Sequence, residues 1–340
     1  MPTTDLVYSS DDEPGFSRRK CGRGFAYYDQ HHDLIRDEEI RNRINELAIP
    51  PAYRDVWICP AERGHLQATG YDDRERKQYR YHPVWHELRN ERKFDKLVDF
   101  ARQLPTIRRR VQEDLSIGNG ELTKEKVVAA AVRLIDHTGA RIGNDSYTEK
   151  NGTHGVTTLE VNHLEEPEDD DHLVLHYRGK GSREVSFEID SPAVARVVNR
   201  CSELPGQRLF QYEGENGSAC TIRSHDVNEY LQDIADDVTA KDFRTWKATL
   251  LCFSELANQP VPAEESRRVE IVNEALKSTA GRLFHRPETC RKYYVHPIVI
   301  GTFLVGEPLE GATSLRKNRS PRRQHGEMEK ALLRFLIQTS

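Results

Sequence analysis

Between residues 16 and 82, short runs of aromatic and β-branched residues stop at Gly, Pro or Asp, as in GFAYYD, DVWICP, HLQATGYD and KQYRYH. Such runs predict short strands, and their clustering predicts a small antiparallel sheet. One stretch among them has a different period. In DEEIRNRINELAIPPAY the apolar Ile40, Ile44 and Leu47 recur at helical spacing, and Pro50 and Pro51 close the segment.

Beyond residue 90 the pattern turns helical, in KFDKLVDFARQLPTIRRRVQEDL, TKEKVVAAAVRLIDHTG, SPAVARVVNRCSEL, SHDVNEYLQDIADD, KDFRTWKATLLCFSELA and EESRRVEIVNEALKSTAGRLF. Gly139 fits a helix C-cap, while Ser191-Pro192 and Ser224 with Asp226 fit helix starts. Only GVTTLEVNHL, HLVLHYRG and EVSFEID break in as expected strands. The pattern therefore predicts an α+β chain. Residues 1–20 form a flexible tail, 21–92 a sheet-rich domain and 93–340 a mainly helical domain, within which segment 315–325 is a basic, tail-like stretch and GEMEKALLRFLIQ a final helix.

Length and composition agree with two domains: 340 residues, 36% of them apolar. No run approaches the ~18 apolar residues of a membrane span, and the start lacks the blocks of a signal peptide, so a cytosolic protein is expected. Six scattered cysteines without a CxxC pair suggest reduced thiols. The net charge of −5 is unusual for a nucleic-acid protein, so the distribution of charge has to decide. Acidic blocks (SSDDE, EEPEDDD, QDIADD) separate from basic ones (FSRRKCGRGF, YDDRERKQYRYH, TIRRR, LRKNRSPRRQHG). Tyr28, Tyr79 and Tyr81 interleave with the basic blocks, as on a polyanion-binding surface. Arg76, Lys77, Arg80 and Arg108 to Arg110 are phosphate candidates by charge, and Gln78 can reach sugars or base edges.

The chemistry concentrates in GRLFHRPETCRKYYVHP, residues 281–297, where two adjacent phenols sit among Arg286, Arg291, Lys292, His285 and His296. Pro287 breaks any helix from His285 and starts a new one, so His285 can fold back toward one of the tyrosines. A phenol is a poor nucleophile unless nearby cations favour its ionised form, and the same cations would hold a phosphate. The reaction suggested is attack of a tyrosine on a phosphodiester. Matching cations occur at Arg141 in TGARIGNDSY, at Lys180 in the Gly-flanked turn of YRGKGSREV, and at Arg244 in KDFRTW. Lys180 on a hairpin tip suits general acid catalysis for an alkoxide leaving group. No metal-ligand motif or phosphate-binding loop competes, so no cofactor is expected.

Taken in order, TGARIGNDSY, GTHGVTTL, RGKGSRE, AKDFRTW and the histidine-to-tyrosine element resemble the type IB DNA topoisomerases of the compact bacterial and poxvirus kind. RGFAYYD, LAIPPAYRDVWICP, GHLQATGYDDRERKQYRYHP and KFDKL resemble the amino-terminal part of the bacterial members. The resemblance implies a sheet domain and a catalytic domain of the fold shared with tyrosine recombinases, closing on duplex DNA as a C-shaped clamp. It implies that Tyr294 attacks the phosphate to form a 3′-phosphotyrosyl bond. Arg141, Arg244 and His285 would bind the nonbridging oxygens, and Lys180 would protonate the departing 5′ oxygen. Swivelling and resealing would relax supercoils without ATP or metal, in a monomer acting on duplex DNA in the nucleoid. Gln78, Tyr79 and Tyr81 match an element that enters the major groove in relatives.

Two departures stand out: Tyr293 precedes Tyr294 where relatives often have a small residue, and Phe284 and Arg286 flank His285 where Gly and Thr are usual. A tyrosine recombinase or a noncatalytic DNA clamp would share much of this pattern.

Overall fold

The computed structural model describes residues 6–117, 121–165, 172–309 and 321–339, without the side chains of 86–92 and 321–324. The chain divides into two compact units, Met1–Lys93 and Phe94–Ser340. In the first, β1 (Phe16–Cys21), β2 (Gly24–Tyr28), α1 (Glu38–Glu46), β3 (Arg54–Ile58), β4 (Leu66–Tyr71) and β5 (Lys77–Tyr81) follow in sequence. The strands form one antiparallel sheet in the order β2-β1-β3-β4-β5. Asp37 starts α1 by accepting from the amides of Glu39 and Ile40. The helix then buries Ile44 against Val56, Ile58 and Ala68.

The flexible tail expected over residues 1–20 is corrected from Val7 onward, while residues 1–5 lie outside the described residues. β1 already begins at Phe16 and pairs with both β2 and β3. Upstream, Val7 bridges Gly64, and the buried Ser9 donates its amide to His65 Nδ1 at 3.0 Å and its hydroxyl to the Leu66 carbonyl at 3.0 Å. The segment is held by polar bonds, so its hydropathy gave no sign of order.

The helix α2 (Pro83–Ser116) begins before the boundary at Lys93 and runs on into the second unit, which continues as α3 (Lys124–Thr138), α4 (Asp145–Asn151), β6 (His172–Gly179), β7 (Arg183–Asp190), α5 (Pro192–Ser202), β8 (Gln211–Glu213), β9 (Ala219–Thr221), α6 (Ser224–Ile234), α7 (Ala240–Ala257), α8 (Glu265–Arg282), α9 (Pro287–Tyr293), α10 (Pro297–Leu304) and α11 (Pro321–Thr339). Its core centres on α3, where an unbroken run from Val127 to Val132 is buried. A helix apolar on all sides is one surrounded by others. Gly139 ends α3 in the left-handed region at φ 67°. Ser191 and Pro192 start α5, whereas α6 starts one residue early: Arg223 is the N-cap, and its amide donates to Asp226 at 2.6 Å.

GVTTLEVNHL, expected as a strand, forms two short 3-10 turns, Val156–Thr158 and Val161–His163. Their amides bond the carbonyls of Arg141, Ile142 and Gln207 instead of a ladder. The short β8–β9 pair had no sequence signal. Of the basic segment 315–325, residues 321–325 begin α11 and the rest lies outside the described residues, as does EEPEDDD beyond Glu165. Arg108, a phosphate candidate by charge, instead ties α2 to Asp136 of α3 and Glu329 of α11 at 2.7–2.8 Å. Among the described residues no helix is long and apolar enough to cross a membrane.

Candidate active site

Arg244 lies in the first turns of α7 and is 4% exposed. A guanidinium buried that deeply needs acceptors on every side. It donates to the carbonyls of Gly139 and Leu283, and its Nε donates to His285 Nε2 at 2.9 Å. Glycine suits the cap at 139 because φ there is 67°, a conformation that L side chains rarely adopt, and a Cβ would also press on Leu283 Cδ2 at 2.8 Å.

Arg141 follows that cap and approaches His285 Nδ1 through Nη2 at 3.2 Å. Its loop is held by the GTHGVTTL segment. Val156 N donates to the Arg141 carbonyl at 2.8 Å, and Thr157 N donates to the Ile142 carbonyl at 2.7 Å. The two chains come so close that a Cβ on Gly155 would lie 2.5 Å from the Gly143 nitrogen and 2.6 Å from the Arg141 oxygen. Gly143 and Gly155, where the two backbones meet, are thus a mount for Arg141.

His285 is 6% exposed and hangs from the turn after α8. That turn reverses at Phe284, whose φ of 53° is the left-handed conformation a glycine adopts more readily. The Phe284 ring packs edge-on to Phe187 of β7 at 5.4 Å, so the departure from Gly noted in the sequence is offset by aromatic packing.

Burial, followed by the nearby Arg244, Arg141, Arg183 and Lys180, pushes His285 down to about 2, so the ring is neutral. With Nε2 accepting from Arg244, the ring proton sits on Nδ1, facing the Arg141 guanidinium donor to donor. Burial, then Arg141, lowers Arg244 to about 10, and burial also lowers Arg141. Among the described residues no carboxylate forms an ion pair with Arg141, Arg183, Arg244 or Lys180. The arrangement is a set of donors converging on a place for an anion.

Tyr294 ends α9. Its ring lies 4.3 Å from that of His285 and 5.7 Å from the Arg244 guanidinium carbon. Its carbonyl accepts from the Thr249 hydroxyl at 3.1 Å. Arg141, Lys180, Arg244 and Tyr294 line one pocket of about 340 Å³, with His154 and Lys241 also on its wall. Lys180 is exposed at the hairpin tip between β6 and β7. Tyr293 instead carries Lys292 over its ring at 5.4 Å. Tyr177 is also near the two arginines, but burial pushes its phenol up to about 12. The five residues singled out in the sequence therefore meet: four on one pocket and His285 against three of them. Arg183, Thr249, His154 and Gly155 were missed, because their parts in the site depend on contacts made after folding.

In the first unit the six DNA-contact candidates all fall on β5 or the residue before it, at the sheet edge. They divide between partners. Arg76 and Gln78 both bond Asp72, Lys77 pairs with Asp11, and Arg80 donates to the Ala48 carbonyl at 3.1 Å. Tyr79 and Tyr81 lie nearly parallel, 6.1 Å apart, with Tyr79 48% exposed.

Residues 82–298, well over half of the chain, match the family described as eukaryotic DNA topoisomerase I, catalytic core. Residues 24–72 match the bacterial DNA topoisomerase IB N-terminal domain. The chain is thus a DNA topoisomerase by class. It belongs to the type IB DNA topoisomerase family. A DNA topoisomerase 1B of Acanthamoeba polyphaga mimivirus is 28% identical over 290 residues, 83% of this chain and 85% of that protein. DNA topoisomerase 1 of Schizosaccharomyces pombe is 25% identical over 215 residues, 62% of this chain and 24% of that one. A crystal structure of the XerH site-specific recombinase bound to its difH substrate, a pre-cleavage complex, covers 55% of this chain and 48% of its own, with a TM-score of 0.34 and 15% identity.

Proposed function

We propose that this topoisomerase relaxes supercoiled duplex DNA by transient cleavage of one strand, with Tyr294 as nucleophile. The observation that carries the reading is the convergence of Arg141, Arg244 and neutral His285 beside the Tyr294 ring with no carboxylate among them. A nonbridging phosphate oxygen between the His285 Nδ1–H and the Arg141 guanidinium would accept from both, turning a repulsive contact into two hydrogen bonds. The Tyr294 oxygen bonds to phosphorus as its proton leaves to water. The bond from phosphorus to the 5′ oxygen breaks, and Lys180 supplies the proton which that oxygen takes up. The products are a 3′-phosphotyrosyl bond and a free 5′-hydroxyl. One phosphodiester replaces another, so torsional strain alone directs the cycle, and fixed donors stabilise the charge on phosphorus. The free end swivels and reversal reseals the strand. As part of the same proposal, a monomer closes its two units on the duplex, in the nucleoid of the cytosol.

The test is relaxation of a supercoiled plasmid in EDTA without ATP, with denaturing gels to trap the covalent adduct. The parent and Tyr293→Phe should relax and form adduct, and Tyr294→Phe should do neither. Mass spectrometry of the trapped peptide should place the nucleotide on Tyr294. An adduct retained in Tyr294→Phe sinks the assignment. Strand exchange between paired sites would point to a recombinase, and binding without adduct to a noncatalytic clamp.

A further inference from the structure

We infer that Arg183 is a positioning residue that fixes the Lys180 hairpin against the His285 turn, and so sets where the proton for the leaving group is delivered. The inference rests on the reading of Lys180 as general acid. β6 and β7 pair without interruption from His172–Asp190 to Gly179–Arg183, so the ribbon is ordered up to its last pair. Only Lys180, Gly181 and Ser182 lie beyond it, and the last two turn through positive φ of 77° and 55°. Gly179 and Arg183, the last pair, are therefore the fixed points on either side of the three-residue loop that carries the lysine, and Arg183 is the one with a long side chain.

From there its Nη1 donates to the His285 carbonyl at 2.6 Å. Four residues further along the same face of β7, Phe187 meets Phe284. These two contacts dock the hairpin on the 284–285 turn, one through each of the turn's adjacent residues. The aromatic contact sits nearer the body of the ribbon, and the guanidinium contact sits at its end. His285 is in turn fixed by its amide bond to the Ala280 carbonyl at 2.8 Å and by Arg244. A bond from Arg183 to this point holds the lysine mount in register with the residues that face the phosphate. Without it Phe187 and the strand pairs remain, so the fold persists, but three residues of loop swing from an unpinned end. A misplacement near 1 Å costs on the order of 100-fold in rate.

The experiment compares single-turnover cleavage of two duplexes that differ in one atom, a 5′-bridging oxygen or a 5′-bridging sulfur at the scissile phosphate. The sulfur departs as a thiolate, whose conjugate acid has a pKa of about 8.5, and needs no proton as its bond to phosphorus breaks. Arg183→Ala should cleave the oxygen duplex about 10- to 100-fold more slowly than the parent and the sulfur duplex at close to the parental rate. Arg183→Lys, which can restore one donor, should recover part of the oxygen rate. Lys180→Ala is the control and should be rescued by sulfur.

If Lys180→Ala is rescued and Arg183→Ala is equally slow on both duplexes, Arg183 acts on the phosphate or on His285, and the inference fails alone. If sulfur does not rescue Lys180→Ala, the general-acid reading fails and the inference with it. Parental rates for Arg183→Ala on both duplexes overturn it as well.

Discussion

A neutral histidine enclosed by arginines leaves a signature in stability as well as in chemistry. His285 is pushed from 6.5 to about 2 in the folded chain, so between those values the unfolded chain binds a proton that the folded one does not. Stability therefore rises with pH through that window, and the acid penalty vanishes above 6.5, where both states are neutral. At pH 5 the cost is on the order of 2 kcal/mol. His285→Gln keeps a polar planar group without the titration, so urea melts at pH 7 and pH 5 should show a smaller acid loss for the variant than for the parent. Equal losses would mean that the ring is not held neutral. Burial lowers His296 as well, to about 4, but that contribution is common to both proteins and cancels in the difference.

Among elements, the 3-10 turn at Val156–Thr158 shows how a piece with no chemistry of its own sets the geometry of one that has it. It bonds the backbone of the Arg141 loop, and the contact tolerates no side chain at Gly155. The backbone there is extended, so the constraint is space, not φ. Gly155→Ala should cost about 1–3 kcal/mol of stability and leave a folded enzyme whose single-turnover cleavage falls about 100-fold. Urea melts and cleavage rates measured on the same preparation check both halves. A folded variant with the parental rate would show that the Arg141 loop yields without consequence.

Across the whole molecule, the net charge of −5 conceals how many cations are already engaged. Arg108 is neutralised by Asp136 and Glu329, Arg110 by Asp114, Arg76 by Asp72 and Lys77 by Asp11. A phosphate reaching Lys77 has to compete with Asp11, so the salt slope of binding should reflect fewer contacts than the basic blocks suggest. Lys77→Ala should weaken binding to every duplex sequence alike and flatten the slope by no more than about 0.9. Gln78→Ala should instead change which sequences are preferred. Affinities measured across a salt series on two duplex sequences distinguish these, and the same sequence-independent loss in both variants would remove Gln78 from base recognition.

Periodicity made the sheet of the first unit and the helices of the second legible, since side chains two or three to four apart share a face whatever the fold around them. The ordered fragments from TGARIGNDSY to the histidine-to-tyrosine element likewise carried the family and the five residues that folding brings together. Folding decided the rest. His285 meets Arg141 across 144 residues and Arg244 across 41, and Arg108 meets Glu329 across 221. No local pattern encodes such distances, because they follow from how the helices pack around α3. The order of residues 6–20 and the turns of GVTTLEVNHL escaped for the same reason: their hydrogen-bond partners exist only once distant chain has been brought alongside.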